Sequence, residues 1–435
     1  MNEPTVILGA GLAGLSAAYH AKKRGHRAML FERAGRVGGL VRSEHVNGFC
    51  FDYTGHLLHM KQERTKKLVL SELGLKNDFV MVERNSWVYM NGRYTRAPFQ
   101  ANLFGQPDQL IRECLAGMLE ARLLSGRKPA RSPKGPESFE SWNLRTFGRG
   151  IYSHFMEPYN SKLWGIHPSQ MTVEFMGRFI PQPSLKQVFE GALRDVGKPM
   201  GYNAAFIYPR KGGIEILSRA FGRQVAAHLN HTAVQIDLKA KEVTFANGLR
   251  QRYKTLVSTM PLNRLVALLK SKPARIERAA SRLRASSVLN VNYGIKGRNI
   301  SDKQWVYVPE PHLPFYRVGF YHNFSKELAP EGGSSVYAEM SYSPDRPLNK
   351  KEAPRRVREG LVKMGILRQS DQIAAEFIAD IPSAYVVYDS HRTSSVDTIQ
   401  SFLKENGVCS TGRWGNWEYS AMEDAIWQGA DAIEG

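Results

Sequence analysis

Cysteine is scarce in this chain of 435 residues: Cys50, Cys114 and Cys409 are the only three. They lie far apart and show no metal-ligand spacing, which excludes a disulfide framework and a zinc module, and no metal is expected. Long apolar runs are also missing. No stretch approaches the roughly 18 apolar residues of a membrane span, so no transmembrane segment is expected. Glu3 precedes only a short apolar run before glycine-rich sequence begins, which is not the pattern of a secretory signal. Acidic residues fall short of basic ones, 40 against 60, leaving a net charge of +20. That balance favours anionic partners: nucleotides, phosphorylated sugars, nucleic acid or an acidic membrane surface. The surplus is dispersed, however. Its densest patches, residues 126–134 (GRKPARSPK), 275–284 and 355–368, read as a loop and solvated helix faces, which makes a nucleic-acid or membrane surface the weaker reading. The expectation is a cytoplasmic protein with reduced thiols. Its 42% hydrophobic and 23% charged residues suffice for two or three domains with real cores.

Glycine, by contrast, is placed with purpose. Thr5–Leu8 (TVIL) is an apolar, strand-like run that leads directly into Gly9-Ala10-Gly11-Leu12-Ala13-Gly14 and a helix-forming stretch, SAAYHAKKRG. Gly9 permits the tight turn, Gly11 removes a side chain that would block a pyrophosphate, and Gly14 lets helix and strand pack closely. The helix N-terminus then offers unpaired N–H groups to phosphate. A second apolar run, Ala28–Phe31, ends in Glu32, 18 residues after Gly14, where a carboxylate can accept from a ribose diol and would repel a 2′-phosphate. Arg33 follows, and then a second glycine pair, Gly38-Gly39-Leu40, whose backbone could approach the rest of an extended cofactor. This pattern suggests FAD. With no second GxGxxG, a built-in NAD(P)H domain is not expected.

The far end carries a matching piece. Residues 407–411 (GVCST) read as a strand, Gly412-Arg413-Trp414-Gly415 as a glycine-bearing turn, and Ser420-Ala421-Met422-Glu423 as a capping box opening a last helix over residues 424–433. Such a helix start can face the pyrimidine edge of a flavin and stabilise negative charge there. An ordinary surface helix is the competing reading.

In ordered blocks covering nearly the whole chain (VILGAGLAGLSAA, ERAGRVGGL, GFCFDYTGHLLHM, APFQANL, FMEPYNSKLWGIHPSQM, YPRKGGI, STMPLNRL, WVYVPEPHLPFYRVGFYHNFS and GRWGNWEYSAMEDAI) the sequence resembles the UDP-galactopyranose mutases, closer to their eukaryotic branch. These flavoenzymes interconvert pyranose and furanose forms of a nucleotide sugar and belong to a wider group that includes amine oxidases and protoporphyrinogen oxidase. The resemblance implies attack of reduced flavin N5 on the anomeric carbon, a UDP-sugar substrate and an external reductant such as NAD(P)H, and it is compatible with a homo-oligomer. It also implies residue roles. His56, after Gly55, resembles the histidine against the flavin; Arg317 matches a diphosphate-binding arginine, with Arg178 as a second and Tyr307, Tyr385 and Tyr419 at or near tyrosines of the site. Phe99, Gln100, Asn160 and Trp164 resemble the uridine pocket, where stacking and amide hydrogen bonds suit a pyrimidine. His56, Arg317, Tyr419 and Arg178 are the candidate catalytic residues, acting by positioning and electrostatics. Ala97 departs from the pattern, standing where close mutases carry an aromatic, and so does Thr54, where glycine is common. Two rivals stay open: an FAD-dependent oxidoreductase of the amine oxidase or protoporphyrinogen oxidase type, and a non-catalytic flavin-binding protein.

The architecture expected is α/β, with a Rossmann-like FAD-binding domain (1–80, 205–270 and 395–435), a mainly helical insertion (105–204) and an antiparallel sheet for the substrate (81–104 and 271–394). Within the last, a hairpin is expected to turn at Asn91-Gly92, and β-branched and aromatic residues dominate residues 287–342.

Overall fold

The computed structural model describes residues 3–124, 136–174, 179–197 and 204–434. The basic loop 126–134 and Arg178 lie outside the described residues.

Three distant parts of the chain build one parallel sheet, in the order Val408–Ser410, Thr255–Ser258, Thr5–Leu8, Ala28–Phe31, Ala227–His228. Its strands are short and apolar because helices or loops cover both faces: Val6, Ile7, Leu256 and Val257 are fully buried. The opening helix Leu12–Lys23 and the last helix Met422–Asp431 cross against each other at glycine. A Cβ on Gly429 would overlap the carbonyl of Ala13, and one on Gly14 would overlap that of Gly9. The Ser16 hydroxyl donates to the Ile426 carbonyl at 2.6 Å and locks the pair.

A second sheet has seven strands, in the order Ile373–Val386, Ala285–Ile295, Ser334–Tyr342, Arg317–Gly319, Trp305–Tyr307, Ser86–Met90, Arg93–Arg96. Strict alternation divides its residues. Val306, Val318, Val336, Ala338 and Met340 pack on one face against Val357 and Leu361 of the helix Ala353–Lys363. Tyr307, Arg317 and Glu339, the residues between them, share the opposite face. The hairpin turns at Asn91 and Gly92, both with positive φ (53° and 72°).

Two features differ from the sequence expectation. The sheet is not wholly antiparallel, because Trp305–Tyr307 runs parallel to Ser86–Met90, which a distant stretch of chain supplies. Ile373–Val386 is its longest strand and contains Pro382; the proline is accommodated because this strand lies at the sheet edge and its register shifts opposite Ser286 and Val288. Second, the last helix starts at Met422, not residue 424. Its cap is Ala421, whose N–H donates to Asp424 at 2.8 Å, while Glu423 instead accepts from the backbone of Lys61 and Gln62 at 3.2 and 2.9 Å.

The segments Asp108–Leu124, Phe139–Ile151, Glu157–Trp164 and Leu185–Leu193 are helices. They bury Phe99, Phe147, Phe155 and Trp164 in one core with Val88 and Val288 of the sheet, so the helices form a wall facing it.

Since Gly429 has no room for a methyl group, Gly429→Ala is expected to cost about 2 kcal/mol or more of stability, seen as a lowered Tm. An unchanged Tm would mean that the two helices are not in this contact.

Candidate active site

The glycine turn is built for close approach. Gly9 has φ +98°, its N–H donates to the Phe31 carbonyl at 2.8 Å, and a Cβ there would come within 2.5 Å of Thr259 Oγ1. Gly38 and Gly39 also have positive φ, +117° and +59°. The Gly38 N–H donates to the Ala10 carbonyl at 2.8 Å, and Gly11 bridges to Gly38. The two glycine motifs are therefore one structure. A Cβ on Gly11 would find only Gly39 Cα, at 3.9 Å, so the space above it is open. The helix starting at Leu12 and Ala13 has no side-chain cap and no acid in its first turn, so its orphan N–H groups face the opening. Glu32 stands beside it. Its carboxylate accepts from Ala10 N–H at 2.7 Å and from Ala34 N–H at 2.8 Å, which fixes the group while lone pairs remain for a ribose diol.

Farther along, Gly55 sits where a Cβ would overlap the Tyr337 hydroxyl. Thr54 before it has φ +153°, a strained value for threonine. His56 Nδ1 is buried without a hydrogen-bond partner among the described residues. Burial, then the charge of Arg413, push His56 down to about 4, so it is neutral at ordinary pH. Gly412, φ +77°, brings the final turn against Ala13.

On the sheet face, Tyr307, Arg317 and Glu339 are direct cross-strand neighbours. Glu339 is fully buried. The Arg317 guanidinium meets it through Nη2 at 2.8 Å and Nε at 3.1 Å, and the Tyr316 hydroxyl donates to the same carboxylate at 2.5 Å. Burial alone would lower Arg317, but Glu339 outweighs it and holds the guanidinium well above its ordinary range. Arg317 Nη1 makes no hydrogen bond among the described residues, leaving a charged edge toward the cavity.

Aromatic rings continue from there. Tyr159 meets Tyr307 edge-on at 5.4 Å, Phe155 stacks on Tyr159 at 5.4 Å, and Phe99 stacks on Phe155 at 5.0 Å. Asn160 donates to the Met156 carbonyl at 2.7 Å and accepts from Trp164 Nε1 at 3.2 Å; Gln100 donates to the Pro181 carbonyl at 2.8 Å. Tyr385 and Tyr419 stack at 6.1 Å, with Trp164 edge-on to both and Arg413 4.7 Å from the Tyr419 ring centre. Arg413, expected to serve the cofactor, thus also braces the tyrosine wall.

One cavity of about 1430 Å³ unites these groups. Every site residue anticipated from sequence lines it except Gly14, which is packed beneath the turn, and Arg178, which lies outside the described residues. Sequence reasoning missed Glu339, whose signal was a lone acid in an apolar strand, and Phe155. It also missed Lys162, which reaches from the helix Glu157–Trp164 to the carbonyls of Val308, Glu310 and Phe315 at 2.9, 2.9 and 2.6 Å. Burial, then Arg346, press Lys162 down to about 7, whereas three carbonyl acceptors match the three protons of its charged form. Among the described residues no group of three or more His, Cys, Asp or Glu could hold a metal, and no helix is long and apolar enough to cross a membrane.

A strand, glycine turn and helix that share one cavity with a sheet and a helical wall define a class: the chain belongs to the flavin-containing amine oxidoreductase family, whose model matches residues 12–432. It is similar over its whole length to a crystal structure of reduced UDP-galactopyranose mutase, with a TM-score of 0.92 and 29% identity, covering 95% of that chain. A putative protoporphyrinogen oxidase from Exiguobacterium sp. 255-15 shares the fold at a TM-score of 0.75, with 15% identity, 100% of this chain and 98% of that one. Among curated proteins, protoporphyrinogen oxidase 2 of Arabidopsis thaliana is 24% identical over 56% of this chain and 51% of its own length. A probable UDP-galactopyranose mutase of Klebsiella pneumoniae is 24% identical over 41% of this chain and 45% of its own. The matched stretches thus span about half the length of these curated relatives. The residues fit a flavin dinucleotide: the open space over Gly11, the uncapped helix start, the anchored Glu32 and the buried, unpartnered His56 Nδ1 all border one cavity.

Lys162→Met should leave three carbonyls without their donor and cost about 2–4 kcal/mol, read as a fall in Tm; a loss within experimental error would contradict the tether. His56 yields a pH prediction. Above its ordinary value of 6.5 it is neutral folded and unfolded; as pH falls from 6.5 toward 4, only the unfolded state takes the proton, so folding weakens across that window. His56→Gln is expected to flatten this part of the Tm-against-pH curve, and parallel curves would refute the assignment.

Proposed function

We propose that the protein is an FAD-dependent mutase interconverting the pyranose and furanose forms of a nucleotide sugar, with a UDP-sugar as substrate. The observation that carries this reading is the unengaged edge of Arg317, held by Glu339 beside Tyr307 and facing the same cavity as the cofactor groove. A guanidinium fork in that position suits a diphosphate. An amine or porphyrinogen oxidase would instead need an apolar or amine-accepting chamber, which a fixed cation disfavours.

In this reading Arg317 orients the diphosphate and stabilises it as it departs from the sugar. Tyr307, Tyr385 and Tyr419 donate hydroxyl hydrogen bonds without adding charge, and Arg178 is a second cation. Phe99, Gln100, Asn160 and Trp164 hold the base, with Phe155 extending the stack. Neutral His56 lies against the cofactor, and the aromatic wall keeps water from the anomeric carbon. A reduced flavin, once bound, supplies the nucleophilic nitrogen N5 for that carbon. The reaction has no net redox change, so an external reductant such as NAD(P)H serves only to bring the cofactor to its active state.

The test is to reduce the purified yellow protein with dithionite and offer UDP-galactose beside other nucleotide sugars. Furanose product that appears only after reduction is expected; oxygen- or acceptor-dependent turnover of an amine or porphyrinogen, with no furanose from any sugar, would overturn the reading. Arg317→Ala would strand Glu339 as a buried, unpaired charge, so Arg317→Lys is the cleaner variant: normal flavin content and UDP affinity reduced at least tenfold. Unchanged UDP affinity would remove Arg317 from the substrate site.

A further inference from the structure

Arg42 has no function in the account so far. It follows the second glycine pair and lines the cavity. Its Nε is buried without a partner, and its guanidinium makes no hydrogen bond or ion pair among the described residues. The guanidinium carbon lies over the face of Tyr53, 4.9 Å from the ring centre. The nearby carboxylates are already engaged. Glu44 is held by Arg36 and by the Tyr53 hydroxyl at 2.8 Å. Glu215 accepts from Ser43 N–H at 3.0 Å and faces Arg36 and Arg219. Asp52 accepts from Ser43, Tyr208 and the Ile214 N–H. A guanidinium that lacks an anion inside a half-buried cavity is costly unless a ligand brings one.

The position of the side chain indicates which anion. The Arg42 stem runs beside Gly38, with Cγ 2.6 Å from where a Gly38 Cβ would stand. Gly38 bridges to Gly11, whose neighbours begin the uncapped helix. The cation and the helix start therefore flank one opening, and each favours negative charge there.

We propose that Arg42 is an additional binding residue for the cofactor's diphosphate, reaching across Gly38 toward the phosphates that rest on the helix start. Tyr53 holds the guanidinium flat and in place through its ring face. The proposal rests on the flavin dinucleotide reading and is independent of which substrate the protein takes.

The experiment follows FAD release from holoprotein after dilution, by the rise in free FAD fluorescence, at about 0.05 M and about 0.5 M salt. Arg42→Gln is expected to release FAD at least tenfold faster than wild type at the lower salt, with the gap narrowing at the higher. Arg42→Lys, which keeps the charge and guards against a general folding defect, should stay within about threefold of wild type. UDP affinity should be the same in all three proteins. Release by Arg42→Gln within twofold of wild type would overturn the proposal, as would equal acceleration in both variants at both salts, which marks packing on Tyr53 instead of charge. Weakened UDP binding with unchanged FAD release would move Arg42 to the substrate and also overturn it. A wild type that binds no FAD would remove the cofactor reading and this proposal together, whereas FAD-replete wild type with an unaffected Arg42→Gln removes this proposal alone.

Discussion

A carboxylate with no access to water has to be met by a cation, and Glu339 is met by Arg317 across one strand pair. Breaking such a pair from one side costs about 3–5 kcal/mol, so the guanidinium is not at liberty to swing between partners. Tyr316 takes part of the remaining acceptor capacity of Glu339, which leaves Arg317 with a single unengaged edge in a defined direction. Sheet register supplies the rest of the placement. Because Tyr307, Arg317 and Glu339 are opposite one another, period-two alternation sends all three to the cavity face while Val306, Val318 and Ala338 go to the core behind. A slip of one residue would exchange cation for valine.

The cofactor side depends on a different constraint: backbone has to approach backbone. Gly14 meets the carbonyl of Gly9, Gly39 meets Gly11 Cα and Gly429 meets the carbonyl of Ala13, each where even a methyl group would intrude, and the last of these joins the opening helix to the final one. The parallel sheet and its two crossing helices form the rigid base over which a dinucleotide can lie. The tethering of Lys162 to the carbonyls of Val308, Glu310 and Phe315 then ties the aromatic helical wall to the seven-stranded sheet. The cavity that holds the site residues lies among the elements these linkages join.

Much of this was legible in the sequence, for local reasons. The glycine fingerprint, Glu32 at its spacing and the Asn91-Gly92 hairpin are short-range patterns whose chemistry permits few alternatives. Arg317, Tyr385 and Trp164 came from resemblance, and the structure lines one cavity with them. What was not legible depended on distant contacts. Glu339 reads as an odd acid in a strand until its partner, Arg317 on the adjacent strand 22 residues earlier, is known. The parallel pairing of Trp305–Tyr307 with Ser86–Met90 was not legible either, because the two strands lie more than 200 residues apart in the chain. The last helix was displaced by two residues because Glu423, which reads as a capping acid, is drawn to the backbone at Lys61 and Gln62, and Asp424 takes over its role. Arg42 belongs to no motif quoted above; the absence of a hydrogen-bond or ion-pair partner among the described residues marks it.

In the proposed reading nucleotide and flavin occupy one chamber, with the edge of Arg317 between them. The most direct measurement is a titration of the oxidised holoprotein with UDP, following the visible absorption of the flavin. The account predicts a saturable spectral shift with UDP that is weaker with uridine, which lacks the diphosphate. A flavin spectrum indifferent to UDP, but bleached by an amine or a porphyrinogen without air, would contradict it.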